Sequence, residues 1–91
     1  MTASDLVLDG NAAAGILHAL FGVEMTVAVG TCNTCTSAGP LGAVRLYRSA
    51  GLVFRCPSCD AVLMRIVTAG ARVWIDSRGL RTLELSSEPA G

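Results

Sequence analysis

Cys32 and Cys35 in TCNTC, with Cys56 and Cys59 in CPSC, are all four cysteines of the chain, and twenty residues separate the pairs. A CxxC turn lets two sulfurs converge while the amides between them stay free to approach. A second such turn, brought alongside by a hairpin, completes a tetrahedron of thiolates. Pro57 suits the second turn, because its fixed φ shapes the bend and its missing donor costs little there. Four thiolates fill the usual coordination of zinc, so the pattern predicts one structural Zn²⁺ with no open position for a reacting water. Iron in the same sulfurs would carry one electron and is the second reading. Thiol exchange ranks lower, since neither CxxC opens a helix in a βαβ setting.

No other constellation competes. His18 is the only histidine. Asp76 and Ser77 supply the remaining residue types of a nucleophilic triad, but nothing in the spacing assembles one, and no enzyme is expected. Asp76-Ser77 reads instead as the opening of a turn through Arg78 and Gly79. The formal charge is zero, yet all seven basic residues are arginines between Arg45 and Arg81. Only Asp60 and Asp76 oppose them there, and metal-bound thiolates would draw some of these arginines into charge balance.

The elements that must position the cysteines follow from alternation and turn residues. NAAAGILHALF (11–21) is expected to be a helix, opened by Asp9 or Asn11 and stopped by Gly22. Its apolar stripe is Ala13, Ile16, Leu17, Leu20 and Phe21. A lone helix of this length is marginal in water, so the stripe must pack on something. Strand-like runs follow in MTVAVGT (25–31), AVRLYR (43–48), LVFR (52–55), AVLMRIV (61–67), RVWID (72–76) and LRTLEL (80–85). TSAGPLG reads as a loop, Ser49-Ala50-Gly51 as a hairpin turn and Ala69-Gly70 as a second turn. The tail 86–91 is expected to fray.

Through TCNTC, CPSC and the strands around them, residues 29–76 resemble the zinc-ribbon class, a structural type shared by transcription factors, polymerase subunits, ribosomal proteins and enzyme lids. The wider sequence, from DLVLDGNAAAG through FRCPSCDAVLMR to WIDSRGLRTLEL, is similar to an uncharacterised family of short actinobacterial zinc-ribbon proteins. That resemblance implies a stand-alone zinc-ribbon protein and carries over no catalytic residue. Rubredoxin-like proteins hold iron in comparable turns, but Asp60 stands here where that pattern has glycine.

The expected fold is a small, metal-stabilised α+β domain over residues 1–91: the N-terminal helix packed on one antiparallel sheet of about four or five short strands. Apolar residues make up 52% of the chain, which excludes general disorder, and no apolar run approaches the roughly 18 residues of a membrane span. MTASDLVLD lacks the basic start of a secretory signal, so a cytoplasmic, thiol-reducing setting is expected, with no membrane partner. The leading functional expectation is a non-catalytic accessory or adaptor to a larger cytoplasmic protein. Its candidate contact residues are Trp74, Tyr47, Arg45, Arg65 and Arg72 on strands, and Ile16, Leu20 and Phe21 on the helix. Nucleic-acid binding by the arginines, with Tyr47, Phe54 and Trp74 as stacking surfaces, is second. Pairing of two helices through Leu17 and Phe21 would give a homodimer, although one stripe cannot serve a core and a dimer equally. In RVWID, alternation sets Trp74 against Val73 and Ile75 and leaves open which side is the core.

Overall fold

The computed structural model describes residues 7–85; the tail expected to fray lies outside the described residues. The chain runs β1 (Val7–Asp9), a 3₁₀ turn (Gly10–Ala13), α1 (Ala14–Phe21), a second 3₁₀ turn (Met25–Val27), β2 (Val29–Cys32) and β3 (Ala38–Pro40). A third 3₁₀ turn (Leu41–Ala43) leads into β4 (Arg45–Arg48), β5 (Leu52–Arg55), β6 (Val62–Ala69), β7 (Arg72–Asp76) and β8 (Leu80–Glu84). The fold is small α+β, but the strands form two antiparallel sheets where one was expected. The larger has the order β1-β4-β5-β6-β7, the smaller β3-β2-β8.

Local chemistry accounts for the helix ends. Asp9 accepts the amide of Asn11 at 3.1 Å and caps the first 3₁₀ turn, which the expected helix absorbs as its opening. At the other end Gly22, at φ +73°, donates its amide to the carbonyl of His18 at 2.8 Å and stops the helix. Asp76 opens the turn before β8, accepting the Arg78 amide and Nε, both at 3.1 Å.

Cross-strand register builds the core. Leu46 lies opposite Phe54, Phe54 opposite Met64, and Leu52 opposite Ile66, so one face of the larger sheet is apolar. Leu17, Met25 and Leu41 join Leu46, Phe54, Met64 and Ile66 in a single buried cluster. Ile16, Leu20 and Phe21 pack against it half-buried. The helix stripe is thus spent on the chain's own core. Leu17 is fully buried and belongs to the chain's own core.

The larger sheet's other face is open. Val67 opposes Trp74 and Arg65 opposes Asp76, so alternation sets Trp74, Arg65 and Arg72 on the side away from Phe54 and Ile66. Val73 and Ile75 lie on the core side of the sheet, yet they remain 41% and 45% exposed beside Trp74 at 51%. Neither side of β7 is covered, because the strand sits at the sheet edge beyond the helix. Among the described residues no helix is long and apolar enough to cross a membrane.

Candidate metal centre

Two CxxC turns hang from strand ends. Cys32 closes β2, and Cys56 follows β5 directly. The turns repeat one hydrogen-bond pattern. The first cysteine's amide donates to the carbonyl five residues on, Cys32 to Ser37 at 2.9 Å and Cys56 to Ala61 at 2.8 Å. Its carbonyl accepts from the residue four on, Thr36 at 2.9 Å and Asp60 at 2.8 Å. Its sulfur accepts the amide two residues on, from Thr34 in one turn and Ser58 in the other, both at 3.4 Å. Each turn therefore aims two sulfurs at one point while its amides support the negative charge there.

The four Sγ atoms all lie within 4.8 Å of one another. Cys32 and Cys59 are 3.7 Å apart, as are Cys35 and Cys56, and each of these contacts joins one turn to the other. A tetrahedron with metal–sulfur bonds of about 2.3 Å has edges of about 3.8 Å, whereas a disulfide needs about 2.0 Å. The sulfurs sit at the spacing of ligands around an ion. Cys32 and Cys56 are buried within the core cluster, while Cys59 is exposed.

Residues 2–88 match the family described as Family of unknown function (DUF6510). The chain belongs to that family. No curated protein and no solved structure matches it.

In this DUF6510 chain the metal-free sulfurs resist sharing charge. Burial opposes ionisation of Cys56, but the Cys59 amide, the Ser37 hydroxyl and the Ser58 amide outweigh it and bring the thiol down to about 6. The Ser37 hydroxyl and amide also lower Cys35. Cys59 is the reverse case. The Ala61 amide favours its thiolate, but loss of water and the three facing sulfurs push it up to about 12. A bound cation is what lets all four ionise together. Uptake of a metal ion would accordingly displace the Cys59 proton at neutral pH, and the Cys56 proton as well below about pH 6. Retention is expected to weaken as pH falls, and more steeply below about 6. Zinc titrations at stepped pH would read the slope, and a slope constant from pH 8 to pH 5 would contradict this account.

Ser37 belongs to the loop expected over TSAGPLG, yet it takes part in the site. Its Oγ lies 3.0 Å from the Cys35 sulfur and 3.6 Å from that of Cys56. The only signal was a hydroxyl two residues beyond a ligand. The arginines fall elsewhere. Among the described hydrogen bonds the sulfurs receive amides and a hydroxyl, whereas Arg45 and Arg55 face Asp60 at 3.7 and 3.8 Å. Charge at the cluster is spread by the backbone rather than by guanidinium groups.

The residue after each turn stands in the left-handed region, Thr36 at φ 62° and Asp60 at φ 66°. For a β-branched residue that conformation costs roughly 1–2 kcal/mol. Thr36→Gly removes the cost and returns about half through the looser unfolded chain, so a net gain of about 0.5–1 kcal/mol is expected. Asp60→Gly should gain nothing, because Asp60 tolerates the conformation better and also holds two arginines. Urea midpoints of the two variants compare them directly.

Proposed function

We propose that the chain is a zinc-ribbon protein with one structural Zn²⁺, serving as a non-catalytic accessory or adaptor to a larger protein. The metal reading rests on the coordination chemistry: four thiolates saturate zinc, and the cavity beside Cys32 and Cys56 measures only about 60 Å³, room for about four waters. The observation that carries the adaptor reading is Trp74, the sole tryptophan, half exposed on an open edge strand. It borders an open cleft of about 640 Å³ with Arg65, Val67 and Asp76. Across the same face Arg55 stacks over Tyr47, 5.5 Å from the ring centre. Trp74 and Arg65 are exposed on this face and Tyr47 and Arg55 half-buried, and tryptophan, tyrosine and arginine are the residue types that anchor protein interfaces. The helix residues Ile16, Leu20 and Phe21, already packed on the core, have less to offer a partner.

Native mass spectrometry of the protein at natural abundance in its host tests this reading. One zinc and a stoichiometric larger protein are expected, and Tyr47→Ala and Trp74→Ala should lose that protein while keeping fold and zinc. A lone zinc-loaded monomer would count against the adaptor role, and iron in the sulfurs would put electron transfer first.

A nucleic-acid reading draws on Arg45, Arg55, Arg65 and Arg72, which share the open face with Tyr47 and Trp74. It ranks second because acids share that face too. Asp60 engages Arg45 and Arg55, and Asp76 lies opposite Arg65. Binding to DNA or RNA that weakens steeply with salt would support it, and no binding at low salt would remove it.

A further inference from the structure

β7 is an edge strand that reads almost the same from either end as a pattern of side chains: Arg72, Val73, Trp74, Ile75, Asp76. The two-residue turn Gly70-Ala71 makes Ala69 and Arg72 the closing pair of the β6–β7 hairpin, and such a pair exchanges both of its hydrogen bonds. Arg72, Trp74 and Asp76 therefore direct their backbone groups at β6. Val73 and Ile75 direct theirs outward, where no described strand receives them.

We propose that a second copy of this chain supplies the missing strand, β7 pairing antiparallel with β7 about a two-fold axis through Trp74. In that register Val73 of one copy faces Ile75 of the other, and each of the two symmetric pairs exchanges two backbone hydrogen bonds using the outward groups. Trp74 faces its own copy in a non-hydrogen-bonded pair, the kind that brings side chains closest. Arg72 faces Asp76 of the other copy at both ends, so the charges are complementary. Asp76 already holds Arg78 at 3.0 Å, but a carboxylate accepts more than one donor, and Arg78 is 90% exposed and free to shift. Shifting the axis to Val73 or Ile75 would set Trp74 against a charged residue and leave a charge unmatched. The result is a ten-stranded sheet across two copies with one continuous arginine-rich face.

The pairing rests on the free edge of β7 and not on the adaptor reading. Sedimentation velocity on the purified zinc-loaded chain, from about 1 µM to about 1 mM, tests it. An interface this small predicts a dimer that dissociates in the range of about 1–100 µM. Val73→Pro should weaken it at least about tenfold while leaving the hairpin intact, since the Val73 amide does not face β6. Arg72→Asp should abolish it, and adding Asp76→Arg should restore it by exchanging the two charges. A monomer across the whole range overturns the proposal. So does a dimer that both Val73→Pro and Arg72→Asp leave unchanged.

Discussion

Cys32→Ser and Cys56→Ser are each expected to unfold the chain, whereas Cys59→Ser should stay folded and bind zinc more weakly. A structural tetrathiolate zinc contributes on the order of 10–16 kcal/mol to folding, and a small domain's whole net stability is about 5–15 kcal/mol. Losing most of a contribution that large would exhaust the net stability of a domain this size. Cys32 and Cys56 are each only 2% exposed and belong to the core, so a serine there adds an unpaired hydroxyl to the lost ligand. Cys59 faces solvent, and a water can take its coordination position. The three-sulfur site would then hold zinc in the open form that catalytic sites use, a change visible in the spectrum of the cobalt-substituted protein. Metal content by mass spectrometry and amide dispersion by NMR separate the outcomes. Equal behaviour of all three variants, or a chelated chain that melts like the loaded one, would show that the core stands without the ion.

The parts legible in the sequence are those set by neighbours along the chain. The two CxxC turns, the β4–β5 hairpin and the bounds of RVWID each follow from a few adjacent residues, and β7 spans Arg72–Asp76 as read. The second sheet was not legible, because β2 pairs with β8, some fifty residues away, and no local pattern announces such a partner. β3 is Ala-Gly-Pro, a composition that reads as loop and becomes strand only because β2 lies beside it. MTVAVGT has a strand-like core by its residues, yet Met25–Val27 turn as 3₁₀ and bury Met25 in the core. Alternation in RVWID correctly divides its side chains between two faces. It cannot say that the helix stops short of β7 and leaves both faces bare, since coverage is a property of the assembled layers.

Gly79→Ala is expected to cost about 3 kcal/mol or more and to loosen zinc at least about tenfold, a coupling found at no other glycine variant proposed. Gly79 sits in the turn between β7 and β8, pressed against the start of β6. A Cβ there would overlap the Val62 carbonyl oxygen and come within 2.8 Å of the Leu63 Cα. Both are backbone atoms, so no side-chain rotation relieves the clash. Either β6 shifts, disturbing Leu63 and Met64 in the core, or the turn lifts away. The second path reaches the cysteine cluster, because the Gly79 carbonyl accepts the Asn33 amide at 2.9 Å, inside the first CxxC turn. Leu80, the next residue, opposes Cys32 in the β2–β8 pairing. Lifting the turn thus withdraws support from Cys32 and Cys35 together. Gly10→Ala is the control. Its Cβ would overlap the carbonyl of Leu41 and crowd Gly42, neither of which belongs to a CxxC turn. Both variants should lower the melting temperature, but zinc release to a coloured chelator should quicken for Gly79→Ala alone while the chains remain folded. Equal release rates would mean that the turn and the metal centre are energetically separate.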